Sequence, residues 1–271
     1  MKVFLKRLSR FVLVLLITIL LVVLYWRIRP NRADIDPSLN IETWVAVADG
    51  MHNSNTDMIL WNDHFYLIHA SSPFHFASEE CKLIVWRSKD AKKWEKTAEI
   101  TNPGEDIRDP KFVVINDTLI AYVLRNTAFE AEPYDTYYTS TTDGANWHSI
   151  KEIGHGGWLF WRPKSLDGET WYLPAYWWQH GKSQLLKSED GINWSVVGPI
   201  HESPTIPGDY NDETAIEFLP DGRMISTARI EVGQDLTGHK DGHTLISVSE
   251  PPYKHWKAVK SYTTRLDGPY L

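Results

Sequence analysis

Hydrophobic positions are arranged in two different ways along this chain. From Phe11 to Trp26 they are continuous, whereas beyond about residue 40 they alternate with polar positions in short runs rich in aromatic and β-branched residues. These short runs are separated by Asn-Asp and Asp-Gly pairs, and none carries a convincing apolar stripe at helical spacing. The pattern predicts a membrane-type helix within 1–29, a polar linker over 30–40 and an all-β domain over 41–271.

The β runs repeat. SKDAKKW (Ser88 to Trp94), TTDGANW (Thr141 to Trp147) and SEDGINW (Ser188 to Trp194) share one pattern, and a looser copy, SEPPYKHW, ends at Trp256. Asp90, Asp143 and Asp190 stand 53 and 47 residues apart. In such a turn the Asp accepts backbone N–H groups, the Gly takes the positive φ and the Trp packs beneath, so these aspartates are read as structural. Each repeat also holds an earlier hairpin, turning at Asn62-Asp63, Asn116-Asp117, Asp167-Gly168 and Asp221-Gly222. A period of about 50 residues suits one four-stranded blade. The expected fold is a β-propeller with four recognisable blades and the opening of a fifth in RLDGPYL (Arg265 to Leu271), closed alternatively by a strand near Ile41 to Val47.

Propeller topology gives the hairpin turns and the Asp turns one face, and puts the starts of the innermost strands around the axis on the other. Those starts hold Asp57 in NSNTD, Arg108 and Asp109 in IRDP, Arg162 in FWRP and Glu213 in NDET. The hairpin NDETAIEFLPDGRMISTAR then returns Arg229 to the neighbourhood of Glu213. Guanidinium groups suit a planar carboxylate ligand, and paired carboxylates suit glycoside cleavage. Asp57, Asp109 and Glu213 are the candidate catalytic acids; Arg108, Arg162 and Arg229, with Trp161 and Trp177 as stacking surfaces, are the candidate binding residues.

Composition narrows the partners. A formal charge of −7 offers no basic field for nucleic acid. The single cysteine, Cys81, allows neither an intrachain disulfide nor a thiolate cage, and His239 and His243 fall in a loop-like stretch, so neither metal nor cofactor is expected. At the N-terminus Lys2, Lys6, Arg7 and Arg10 precede the apolar run, while Arg27, Arg29 and Arg32 follow it. Sixteen residues of helix reach roughly 24 Å, enough to span if the flanking residues settle in the interfaces. With no small-residue cleavage site behind it, the run reads as an uncleaved single-pass anchor, N-terminus cytoplasmic and propeller periplasmic or extracellular.

From about Asp49 onward the chain resembles a bacterial sialidase-like (BNR/Asp-box) propeller protein. The resemblance rests on IRDPKFVVINDTLIAYVLRN with its Asp-box ending, and on NDETAIEFLPDGRMISTAR. It implies a six-bladed parent of which this chain is a part, and an exported enzyme acting on an acidic sugar. It also implies that Arg108 and Arg229 belong to a carboxylate-binding arginine triad and that Glu213 polarises a tyrosine nucleophile. The family's acid/base aspartate falls in the loop after Arg125, where Glu130, Glu132 and Asp135 are alternatives. Asp109 stands where those enzymes carry an apolar residue, and no tyrosine motif is present. Two further readings follow: an inverting propeller glycosidase using Asp57, Asp109 and Glu213, and a non-catalytic propeller that binds glycan or protein.

Overall fold

A single N-terminal helix is followed by a succession of antiparallel strands. The computed structural model describes residues 2–28 and 38–271 except 76–77, 128–132, 203–209, 232–243, 262–263, 265 and 267. Glu130, Glu132, His239, His243, Arg29, Arg32, Arg265 and most of the predicted linker therefore lie outside the described residues.

Helix α1 (Lys2–Ile28) contains a span from Phe4 to Tyr25, 22 residues of mean hydropathy 2.7 with none of it buried. At 1.5 Å per residue this is roughly 33 Å, with Lys6, Arg7 and Arg10 interspersed among Phe4, Leu5 and Leu8 in its first turns. The helix is long and apolar enough to cross a membrane, a property that signal sequences share. Met1–Trp44 and Val45–Leu271 form separate compact units.

The second unit consists of four antiparallel sheets. Blade 1 comprises β1 (His52–Trp61), β2 (His64–Ser72), β3 (Lys82–Ser88) and β4 (Glu95–Ile100); blade 2 comprises β5 (Glu105–Ile115), β6 (Thr118–Thr127), β7 (Asp135–Thr141) and β8 (Lys151–Glu152). Blade 3 has its first strand in two pieces, β9 (Trp158–Phe160) and β10 (Lys164–Ser165), followed by β11 (Trp171–Trp177), β12 (Lys182–Ser188) and β13 (Ser195–Glu202). Blade 4 comprises β14 (Tyr210–Phe218), β15 (Met224–Glu231), β16 (Thr244–Ser249) and β17 (Trp256–Ser261). This is a four-bladed β-propeller arrangement in which each blade meanders from its inner to its outer strand. Residues 41–47 form no strand, so closure through that segment is not realised.

Local chemistry explains the repeat. Asn62, Asp63, Asn116 and Asp117 all have φ between 48° and 59°, the conformation of a two-residue type I′ hairpin. In the third Asp turn the Asp190 carboxylate accepts the amides of Ile192 (2.8 Å) and Asn193 (2.7 Å) and the side chains of Asn193 and Ser188. Burial raises its pKa but these donors outweigh it, leaving it at about 2. Trp194 lies buried beneath and donates to the carbonyl of Gly191 at 3.0 Å. Three apolar layers hold the blades together: Trp61, Ile68 and Leu83 on Phe112 and Leu119; Val113, Ile120 and Tyr122 on Leu173 and Leu186; and Leu185 and Ile200 on Ile216 and Met224.

Candidate functional site

The inner strands lose their regular pairing at the place where the charged residues stand. In β1 the register shifts between Ser54 and Asp57, in β5 between Arg108 and Lys111, and in β14 between Asn211 and Thr214. In blade 3 the first strand breaks between β9 and β10: the Trp161 amide still donates to the Pro174 carbonyl of β11 (3.0 Å), and Arg162 and Pro163 lie between the two pieces. Asn55 (φ 53°) and Asp109 (φ 49°) take the left-handed conformation, which Asn and Asp tolerate best among residues with a Cβ. Pro110 and Pro163 cannot donate to a ladder, so a break there costs no hydrogen bond. A bulge bends the strand and re-aims its side chains. Here the result is a ring of polar groups around the axis.

The ring borders an open cavity of about 350 Å³ lined by Asn55, Thr56, Asp109, Lys111, Trp161, Arg162, Glu213 and Arg229 together with Gly268, Pro269 and Tyr270. Arg229 forks two neighbouring acids: its Nε and Nη2 donate to Asp212 at 3.0 and 2.8 Å, and its Nη1 stands 3.3 Å from Glu213 Oε2. Asp212 is fully buried and also meets His180 Nδ1 at 3.2 Å. Asn55 Nδ2 donates to Asp109 at 2.5 Å, and Lys111 Nζ lies 4.0 Å from the same carboxylate and 3.9 Å above the Trp161 ring. Across the axis, Arg162 of blade 3 pairs with Asp57 of blade 1. The amide of Gly268 donates to Glu213 Oε2 (2.8 Å), the Trp161 indole donates to the Pro269 carbonyl (2.8 Å) and Arg162 lies 4.0 Å from the Tyr270 ring.

Burial sets the protonation pattern. It pushes the Glu213 carboxyl up to about 7; Arg229 and Lys111 pull it down, while Asp109 and Asp212 add to the rise. Burial lowers Lys111 from the usual ammonium range, with Asp109 and Glu213 opposing. Arg162 falls to about 10, again through burial, and so stays charged at neutral pH. Burial holds the Tyr176 phenol well above its ordinary value, reinforced by Glu213 and Asp109, so it is no ready phenolate. The cavity thus presents a proton-carrying acid beside a second carboxylate, which is the pairing used in acid-assisted bond cleavage.

Asp109, Arg162, Glu213, Arg229 and Trp161 are brought together here. Asp57 is present too, but its carboxylate is taken up by Arg162 and by the amides of Met58 (2.7 Å) and Phe112 (2.6 Å). It acts as a tie between inner strands. Arg108 turns away from the cavity and forms a two-point pair with Asp106 at 2.5 and 2.9 Å, since residues two apart on the regular part of β5 share a face. Trp177 lies elsewhere, with its ring against Trp158 (5.3 Å) and under Lys182 (4.3 Å). Asp135 opens β7 beside Arg125 and Glu152, outside the cavity lining. Lys111, Asp212, His180, Asn55 and Tyr176 escape the sequence reading. Asp212 and Lys111 were within reach, since each lies within two residues of a selected charge: Lys111 lines the cavity with Asp109, and Asp212 stands behind it as the partner of Arg229. Among the described residues no group of three or more His, Cys, Asp or Glu is disposed to hold a metal ion.

No protein-family model matches the chain, and no curated protein matches it in sequence. Solved structures do match its fold. A protein of unknown function from Dyadobacter fermentans superposes with a TM-score of 0.65 at 17% identity, over 79% of this chain and 70% of that one. The Bombyx mori GH32 β-fructofuranosidase gives 0.57 at 16% identity, over 76% of this chain and 48% of the enzyme. A Hadza microbial sialidase gives 0.55 at 13% identity, over 75% and 45% respectively. The chain therefore spans less than half the length of these two enzymes, and what it shares with all three is the propeller fold.

Proposed function

We propose that the axial cavity binds a sugar and cleaves its glycosidic bond, with Glu213 as proton donor and Asp109 as the opposing carboxylate. The observation that carries this reading is the Glu213 carboxyl, raised to about 7 inside a cavity that also holds Asp109. Glu213 would protonate the leaving oxygen as the bond to the anomeric carbon breaks. A water attacking that carbon would give its proton to Asp109. Asn55 and Lys111 hold Asp109 in place. Arg162 and Arg229 stand in the cavity wall beside these acids, and Trp161 supplies an aromatic surface.

The charge balance favours a neutral sugar. Each arginine of the expected carboxylate clamp is already paired: Arg108 with Asp106, Arg162 with Asp57, Arg229 with Asp212 and Glu213. A sialidase-type reading, with an acidic sugar, would require those pairs to open, and leaving a buried acid such as Asp212 without its partner is costly. We further propose that α1 anchors the chain and that the propeller lies outside the cytoplasm.

A turnover screen of neutral pentosides, neutral hexosides and sialosides tests the site. Hydrolysis of a neutral glycoside is expected, falling about 10²–10⁴-fold in both Glu213→Gln and Asp109→Asn. Turnover of sialosides alone would return the acidic-sugar reading. Sugar binding without turnover, undiminished in Glu213→Gln, would make the protein a binding module.

A further inference from the structure

Besides its charges the axial cavity has an open aromatic surface. Trp161 lines the cavity but is only 5% exposed, and Lys111 stands over its ring at 3.9 Å. Tyr270 lines the cavity too and is 67% exposed. An exposed tyrosine is ordinary in itself. This one is fixed from both sides in the wall of a polar cavity.

The backbone around Tyr270 is tied at successive points. The Leu266 amide donates to Thr244 Oγ1 at 2.9 Å, and the Gly268 amide donates to Glu213 Oε2 at 2.8 Å. Gly268 takes φ +68°, a conformation that side chains with a Cβ rarely adopt. The carbonyl of the buried Pro269 accepts the Trp161 indole at 2.8 Å, and beyond Tyr270 the Leu271 carbonyl accepts Lys164 Nζ at 2.6 Å. Leu271 packs on the apolar cluster that holds Trp161, Tyr176 and Ala215. The Tyr270 ring lies against Arg162, 4.0 Å from guanidinium carbon to ring centroid, and Arg162 is itself held by Asp57. A ring set in place before a ligand arrives loses little freedom on binding.

We propose that Tyr270 is the stacking surface of the sugar site and fixes the class of ligand as a neutral pyranoside, its C–H face on the tyrosine ring and its hydroxyl edge toward Asn55, Asp109 and Glu213. This rests on the reading of the cavity as a sugar site and deepens it. A pyranose chair carries axial C–H groups side by side on one face, an apolar area that matches an aromatic ring. A furanose offers a smaller and more puckered one. The polar groups around Tyr270 supply the few directional contacts that orient a ligand held mainly by its apolar face. At about 350 Å³ the cavity falls at the small end of the ~300–1,000 Å³ range of ligand sites, which suits a small sugar.

The test uses the full chain in lipid nanodiscs and measures Kd by saturation-transfer NMR for the methyl β-pyranosides of xylose, glucose and galactose and for methyl α-L-arabinofuranoside. At least one pyranoside should bind more tightly than the furanoside, with its ring protons drawing the strongest transfer when aromatic resonances are irradiated. Tyr270→Ala and Tyr270→Leu should each weaken that binding about fivefold to tenfold. Tyr270→Phe and Tyr270→Trp keep a stacking face and should stay within about twofold of the parent. Leucine still covers Arg162, so it restores a structural role but not a stacking one. Parent-like affinity in Tyr270→Leu therefore overturns the proposal, as does tighter binding of the furanoside; either result leaves the cavity a sugar site. Pyranoside binding that depends on Tyr270 but leads to no turnover upholds the stacking surface and overturns the cleavage step alone. Failure of every sugar to bind overturns both.

Discussion

Glu213 keeps its proton to about pH 7 because burial outweighs the two cations beside it. Its folded value lies above the ordinary 4.5, so between these two pH values the folded protein holds a proton that the unfolded chain has released. Stability tied to this proton is present in full below pH 4.5 and is lost as pH rises through 7. The difference amounts to something on the order of 3 kcal/mol. Glu213→Gln should remove that dependence, so urea titrations should show the variant gaining on the parent by about this amount from pH 4.5 to pH 8. An unchanged difference would mean that the carboxyl titrates normally. Arg229→Gln should act in the other direction on the same group. It removes a cation that lowers Glu213, so the alkaline limb of any pH–rate profile should move to higher pH. It also strips the fully buried Asp212 of its two-point partner, at a cost of about 3–5 kcal/mol. The charges at the axis were legible from the sequence because a repeat places like positions together. Their partners were not, since Asn55 reaching Asp109 and Asp57 reaching Arg162 are contacts between blades that no local pattern encodes.

At the level of the element, the Asp turns and hairpins were readable because their chemistry is complete within seven residues. The break in the first strand of blade 3 was less so: Pro163 marks an interruption, but the two pieces β9 and β10 are defined only by their pairing with β11. Two glycines separate backbone conformation from packing as causes of turn stability. Gly222 has φ +85° and open space within 4 Å of where a Cβ would stand, whereas Gly191 has φ +74° and its Cβ would meet Ile115 Cδ1 at 2.6 Å and Ile120 Cδ1 at 3.0 Å. Gly222→Ala should therefore cost only the left-handed backbone penalty, about 1–2 kcal/mol. Gly191→Ala adds overpacking between blades 2 and 3 and should cost about 2–4 kcal/mol in all. Chemical denaturation of both variants checks the pair. Equal losses would show that the third Asp turn can shift away from blade 2 without penalty.

For the whole molecule the decisive element is α1, whose described side chains from Phe4 to Tyr25 are all exposed. The stretch from Phe4 to Tyr25 measures roughly 33 Å against a ~30 Å hydrocarbon core, but Lys6, Arg7 and Arg10 lie within it, so as a span it needs those side chains to reach the interface. Four basic residues precede the apolar run and three follow it, a bias toward a cytoplasmic N-terminus. If α1 is an anchor, the chain should resist carbonate extraction, and protease added to intact spheroplasts should digest the propeller. A single arginine at the helix centre costs about 2.5–3.5 kcal/mol, too little against so apolar a segment. The pair Ile17→Arg and Leu20→Arg should cost about 5–7 kcal/mol and release the protein to the soluble fraction. A cleaved signal sequence predicts a different outcome for the parent chain: a mature N-terminus beyond the apolar run and a propeller recovered without detergent. N-terminal sequencing of the purified protein separates the two, since only an anchor keeps Lys2 and the basic residues that follow it.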